Sequence, residues 1–224
     1  MTLILLINPN TARATTAMMV AIARAAAPAG TEIAGVTADR GPAMIVDPDS
    51  LAASANGVVA MGLRLGATAA GIVVAAFGDP GLDRLRAQIA APVVGIAEAA
   101  MLEAAAGARR FGIATVTPLL AGPIAQRAAD LGLSHLFSGT RLTPGDPVAL
   151  AADPNRLIAA LHEAVVRCIE DDGAEAVAIG GGPLGNAATA LAPRFAVPVI
   201  APIPAAVRLI LARLRGGGTS ADPP

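Results

Sequence analysis

Short apolar runs alternating with alanine-rich helical stretches along the whole chain predict an α/β fold with parallel strands. An internal repeat adds that the fold is two pseudo-symmetric lobes, each a mostly parallel sheet flanked by helices, with a ligand cleft between the lobes. The segment AAFGDPGLDRLRAQIAAPVVGIAEAA (75–100) resembles GGGPLGNAATALAPRFAVPVIAPIPAA (180–206). Each holds a glycine-rich break after a strand, a short helix, then A-P-V-V or V-P-V-I and a second helix. Ala76 faces Gly181 at an offset of 105, and Pro92 faces Pro198 at 106, so one residue of slippage lies between them. LILLINPNT (3–11) answers RFGIATVTP (110–118).

The pattern places strands near 3–7, 32–36, 70–75, 93–96, 111–116, 176–179 and 197–201. Helices fall near 12–26, 51–65, 82–89, 97–106, 118–131, 154–171, 187–192 and 205–214. After the first strand, Pro9 pushes Asn8 towards extended backbone and aims its amide at the cleft. Asn10 or Thr11 can cap the helix that follows. Asp79 stands where it would cap a helix beginning at Pro80, and Glu98 opens a helix directly after a strand, where the dipole favours a carboxylate. On the helix over 154–171, Leu157, Leu161, Ala164, Val165 and Cys168 share one face at helical spacing, which makes Cys168 a core residue. Residues 1–97 with 205–215 are read as the first lobe and 98–204 as the second. The tail GGGTSADPP (216–224) has no apolar anchor and is expected to be disordered.

Composition narrows the chemistry. At 224 residues the chain is one large domain or two small ones, with enough length for a sizeable core. Hydrophobic residues make up 54%, mostly Ala and Val in excess, with neither a signal peptide nor an apolar run of membrane-spanning length. A soluble cytoplasmic protein without membrane contact is expected. Net charge is −1 and the 16 basic residues are scattered, so nothing points to nucleic acid. All of those basic residues are Arg; without Lys there is no amine for a pyridoxal phosphate Schiff base. A single Cys allows no internal disulfide, and no Cys/His cluster has zinc-ligand spacing. No metal and no cofactor is expected. Proton transfer is left to carboxylates, His135, His162 and Cys168; His162 flanks the apolar stripe as a rim residue, and His135 lies on a connection.

In open α/β sheets ligands bind beyond the carboxyl ends of the strands. Four such ends carry suggestive residues: Asn8, the Ala76–Phe77–Gly78 loop, Thr115 to Thr117, and Gly180 to Gly182. Each precedes a helix N-terminus whose free N–H groups favour an anion. A pseudo-twofold would bring them around one pocket for a small anionic or carbonyl-rich ligand. In FGDPGL the glycines let backbone N–H groups approach a ligand closely; Asp79 there has two compatible roles, helix capping and acid/base catalysis. GGGPLG (180–185) is an N–H-rich nest suited to an oxyanion or carboxylate. Its G-x-G-x-x-G spacing is no dinucleotide fingerprint, because Pro183 interrupts it and no acidic residue ends a following strand. Glu98 either orients pocket groups from behind or sits on the surface; Pro204 takes its place in the second half.

Together INPNT, FGDPGL, P-V-V-G-I-x-E-A-A, F-G-I-x-T and the second glycine-rich strand end resemble the Asp/Glu/hydantoin racemase superfamily, closest to the hydantoin and allantoin racemase branch. The resemblance covers nearly the whole chain before the tail. It implies two lobes, no cofactor, and racemisation by two cysteines, one at each lobe's strand end, with backbone N–H groups holding the enolate; separately, a homo-oligomer is expected. Those cysteine positions map onto Ala76 and Gly181, so both thiols are absent. Asn8, Phe77, Gly78, Thr115, Thr117, Gly181 and Gly182 match ligand-holding positions. In GPAMIV (41–46) relatives tend to show Ser and Glu where Met44 and Val46 stand. The decarboxylase branch keeps one Cys, and this chain lacks even that. The resemblance therefore implies isomerase-type chemistry on a small carboxylate or hydantoin-like substrate without the thiol pair, its protons handled by water, by the substrate or by a carboxylate such as Asp79. A lyase or hydrolase on the same cradle, or a non-catalytic binding protein, fits the same residues.

Overall fold

A computed structural model describes residues 1–216. The expected disordered tail lies outside them apart from Gly216, which ends the last helix. The first half contains β1 (Thr2–Asn8), α1 (Arg13–Ala26), β2 (Thr31–Thr37), α2 (Pro48–Leu65), β3 (Gly71–Val74), α3 (Leu82–Arg86), β4 (Val93–Gly95) and α4 (Ile96–Ala104). The second contains β5 (Phe111–Thr115), α5 (Ala121–Asp130), β6 (Phe137–Leu142), α6 (Pro147–Ala151), α7 (Pro154–Glu170), β7 (Ala176–Ile179), α8 (Gly185–Leu191), β8 (Val199–Ile200) and α9 (Pro202–Gly216). The sheets have orders β2-β1-β3-β4 and β6-β5-β7-β8, and every pairing is parallel. The second order repeats the first strand for strand, as the internal repeat requires.

Both faces of each sheet are covered, which is why the central strands are apolar throughout rather than alternating. In β1, Ile4 and Leu6 point into the central core while Leu5 and Ile7 point to a separate cluster under α2 and α3. In β5, Ile113 faces the central core and Ala114 faces a cluster built on α7 and α8. The central layer lies between the sheets and holds α1, α4, α5 and α9. Two of these helices cross over: α4 follows β4 but packs on β7 and β8, and α9 follows β8 but packs on β3 and β4.

Two elements escape the sequence pattern. FSGTRL has no apolar run, yet it forms the edge strand β6 on β5, with every residue half-buried. The connection after it contains α6, which Asp146 caps by accepting from the Ala149 N–H at 2.8 Å. α2 starts three residues earlier than its alanine run suggests, because Asp47 accepts from the Ser50 N–H at 2.8 Å and Pro48 fits the first turn. Among the described residues, no helix is long and apolar enough to cross a membrane.

Candidate functional site

The ends of β3 and β7 meet in one cavity of about 80 Å³. Ala75, Ala76 and Phe77 form one wall and Gly180 to Leu184 the opposite one; Asn10, Met44, Ile45, Val116, Thr117, Leu120, Pro147, Ala151 and Leu157 close the rest. The two loops touch behind it. A Cβ at Gly182 would stand 2.6 Å from Met19 Sδ and 3.3 Å from the Ala75 carbonyl oxygen, so only glycine lets them come this close.

Hydrogen bonding decides what this wall offers. Asn10 Oδ1 is already taken by the Asn8 amide at 2.8 Å and the Ala12 N–H at 3.0 Å, which leaves the Asn10 NH₂ group as a donor. Thr115 Oγ1 donates to the Gly180 carbonyl at 2.6 Å, so in its 3.2 Å contact with Thr117 it must accept. Thr117 thus spends its proton on Thr115 and presents lone pairs. The N–H groups of Ala76, Phe77 and Gly78 donate to no other described residue. Among the described residues, Asn10 and Thr117 are the only hydrogen-bonding side chains lining the cavity, and no Asp, Glu, Arg, His or Cys lines it. The described wall is therefore uncharged, with donors on the β3 side, a Gly182 N–H that donates to no other described residue on the opposite side, and an acceptor at Thr117.

The sequence-selected residues fall into distinct places. Ala76, Phe77, Thr117, Gly181 and Gly182 line the cavity. Asn8 is fully buried and does not; its amide turns back along its own loop to Asn10 and to Thr16 Oγ1 at 2.9 Å. It positions Asn10, which reads from sequence as no more than a cap. The N-cap itself is Ala12, without a side-chain bond. Thr115 lies one layer behind Thr117, and Gly78 turns its Cα towards Leu51 of α2. The Gly181 N–H, expected in the cradle, is taken by the Ile179 carbonyl at 3.0 Å. Met44 stands on the wall while Val46 does not.

Asp79 neither lines the cavity nor caps the helix after Pro80. Its side chain has no solvent exposure and reaches the N-terminus of α4, accepting from Ala97 N–H at 2.9 Å and Glu98 N–H at 2.7 Å, and pairs with Arg127 at 3.0 Å. Gly95, the α4 N-cap, has no side chain of its own, so Asp79 caps from a distance; a Cβ at Gly95 would fall inside the Asp79 carboxylate. Burial pushes the Asp79 carboxyl up to about 6 against the opposing pull of Arg127 and the two N–H groups. With both oxygens engaged, it is a structural group. Glu98 is buried as well, not on the surface: it bonds Arg86, Arg213 at 2.8 Å and its own N-cap N–H at 3.2 Å. Burial raises its carboxyl, but Arg213 and Arg86 outweigh that and hold it below the ordinary range.

Cys168 is fully buried on the predicted stripe, and burial pushes its thiol up to about 12. The His162 ring packs on Phe195 at 5.0 Å, and neither His162 nor His135 lines the cavity. Among the described residues no group of three or more His, Cys, Asp or Glu side chains could hold a metal. Sequence reasoning missed Arg127, whose signal was an arginine inside an apolar helix stripe with Leu120, Ile124 and Ala128. It also missed Leu157 and Leu184 as cavity wall.

Comparisons with known proteins agree with this architecture. A family model described as Asp/Glu/Hydantoin racemase matches residues 4–210. A hydantoin racemase of Pseudomonas sp. (strain NS671) is 33% identical over 205 residues, covering 90% of this chain and 82% of that protein. An allantoin racemase from Klebsiella pneumoniae superposes with a TM-score of 0.90 at 33% identity, covering 97% of this chain and 89% of that one. An allantoin racemase from Pseudomonas fluorescens gives a TM-score of 0.91 at 26% identity, covering 96% and 92%.

Proposed function

Because the chain belongs to the Asp/Glu/hydantoin racemase family, we propose that it binds a small, uncharged, carbonyl-rich ring of the hydantoin type between its two sheets and stabilises the enolate of that ring. The chemistry is isomerase-type and uses no cofactor. Residues 1–97 with 205–215 supply one wall and 98–204 the other, in a cytoplasmic homo-oligomer that light scattering and cell fractionation test.

The observation that supports this most is the uncharged wall. A carboxylate ligand would give up part of its hydration without meeting a cationic side chain on the described wall. A cyclic amide instead presents a carbonyl to the Asn10 amide and the Ala76 and Phe77 N–H groups, and an N–H to Thr117. Donors aimed at a carbonyl oxygen strengthen as that oxygen gains charge, which lowers the barrier to losing the neighbouring carbon-bound proton. Among the described residues no side chain supplies a base there, so the proton leaves to water.

The same absence favours a second reading, a binding protein that holds the ring without turning it over. A positioned base contributes roughly 10²–10⁴-fold, and an Ala–Gly pair contributes none of it. Proton exchange into deuterated water, followed by NMR on hydantoins, separates the two. Exchange above the buffer rate that falls on Asn10→Ala supports the enzyme; binding without exchange supports the second reading; no binding sinks both. Ala76→Cys with Gly181→Cys should raise exchange by about 10²-fold or more. Gly181 has φ 168°, an extended backbone open to any residue, and its new Cβ would need only a small shift of Leu184.

A further inference from the structure

Asn10 and Thr117, the two hydrogen-bonding side chains on the described wall, are equivalents in the internal repeat: INPNT (7–11) lies over ATVTP (114–118) at an offset of 107. Behind each stands the last residue of a central strand, Asn8 of β1 and Thr115 of β5, both fully buried. Within the two pairs the hydrogen bonds run in opposite senses. Asn8 donates to Asn10 Oδ1 at 2.8 Å, whereas Thr115 accepts from Thr117. Each sense is held from behind. The Asn8 amide accepts from the Asn10 N–H at 3.2 Å and donates to Thr16 Oγ1 at 2.9 Å, so turning it over would set donor against donor at the Asn10 N–H. Thr115 has given its proton to the Gly180 carbonyl at 2.6 Å, and only lone pairs are left for Thr117. A Cβ at Gly180 would stand 2.9 Å from both Ile113 Cγ2 and Thr115 Cβ, so glycine lets this carbonyl come so near. We infer that Thr115, through the Gly180 carbonyl, is a positioning residue that makes Thr117 a pure acceptor, and that the site thereby selects a lactam over the lactone of the same shape.

This assignment rests on the proposed ring site and adds which rings it accepts. A free hydroxyl rotates and takes either a donor or an acceptor. The Thr117 hydroxyl is not free, because its proton is committed to Thr115. A ligand edge carrying an N–H meets its lone pairs. An edge carrying a ring oxygen sets lone pairs against lone pairs, and neither finds a proton. The Asn10 NH₂ group does the reverse and serves only acceptors. The two halves therefore read an ordered pair, an acceptor for Asn10 and a donor for Thr117. A lactam supplies both, and a lactone offers acceptors at both places. Removing the Thr115 hydroxyl would return the Thr117 proton to the cavity, and the lactone would then find a donor.

Ligand-observed NMR titration of the full chain with pyrrolidin-2-one and γ-butyrolactone tests this, because the two rings differ by an N–H in place of a ring oxygen. Hydantoin is titrated beside them as the reference ring. The unmodified chain should bind the lactam at least about tenfold more tightly than the lactone. Thr115→Val keeps the shape and loses the hydroxyl. It should bind the lactone more tightly than the unmodified chain does and bring the two rings within about threefold of each other. Thr115→Ser should restore the preference. A merely structural Thr115 would weaken both rings together and could not raise affinity for the lactone. Circular dichroism checks folding; Thr115→Ala makes the same comparison if the valine variant does not fold, and the ratio in the unmodified chain decides if neither does. Equal binding of lactam and lactone by the unmodified chain, or a preference that survives loss of the Thr115 hydroxyl, overturns the inference, while hydantoin binding leaves the ring site standing. If none of the three rings binds, the ring site itself falls and the role of Thr115 with it.

Discussion

Asp79 and Arg127 meet at 3.0 Å across the two halves of the molecule, with side-chain exposures of 0% and 8%. The pair joins the loop after β3, whose first residues wall the cavity, to α5 of the second half. Arg127 also reaches Asp83 at 3.3 Å, and its remaining nitrogen, Nη2, has no partner. A buried pair of this kind contributes little beyond two apolar residues, but removing one partner strands the other charge. Arg127→Met should therefore cost about 3–5 kcal/mol at pH 8. In urea unfolding the loss should shrink at pH 5, where Asp79 takes up a proton; an equal loss at both values would separate Arg127 from Asp79.

Asp79 gives the protein a pH dependence of unusual sign for a carboxylate. Its carboxyl titrates near 6 in the folded state against 3.8 unexposed to the fold, so the folded protein binds the proton more tightly. The group's contribution is thus fully present below about pH 4, declines as pH rises through 6, and is flat above. At ~1.4 kcal/mol per pKa unit the decline is about 3 kcal/mol. Asp79→Asn should remove this slope from a stability profile between pH 4 and 7. A slope unchanged in the variant assigns it to another group.

Gly95→Ala drives a methyl group into the Asp79 carboxylate and pulls it from the Ala97 and Glu98 N–H groups. The expected loss is at least about 1–3 kcal/mol from overpacking, read as a fall in denaturation midpoint. A neutral result would mean that the loop and α4 separate easily.

The two asparagines of INPNT should respond differently. Asn8 spends its amide on Asn10, Ala12 and Thr16, so Asn8→Ala should lower stability by about 1–3 kcal/mol. Asn10 gives its NH₂ to the cavity, so Asn10→Ala should weaken ring binding more than it lowers the midpoint. Thermal denaturation with and without ligand distinguishes them, and identical behaviour of the two variants would remove Asn10 from the site.

Cys168, buried and held protonated, should resist thiol reagents in the folded protein and react at once in denaturant. Labelling at the native rate of a free thiol would show that α7 opens.

Most of the architecture could be read from residues because the signals are local or repeated. LILLI and GIVV are continuous apolar runs, and the strand order of the second sheet repeats the first. β6 escaped because Ser, Gly, Thr and Arg in an edge strand carry no apolar signal of their own. The repeat held it all the same, since β2 at 31–37 shifted by 106 falls on 137–143. At the site, the loops that wall the cavity were legible from their glycines. The roles of Asp79 and Asn8 were not, since each is set by partners brought in through the fold: Arg127 lies 48 positions from Asp79, and Asn8 depends on how its loop meets α1.

The crossing of α4 and α9 has a consequence for the molecule's origin and integrity. Each sheet is covered by the helix that the other sheet's last strand leads into, so neither half is self-contained. Two separate copies of one ancestral half, placed side by side, would cover themselves only by exchanging those helices, as domain-swapped dimers do. Within one chain the peptide link holds those helices on the sheets they cover.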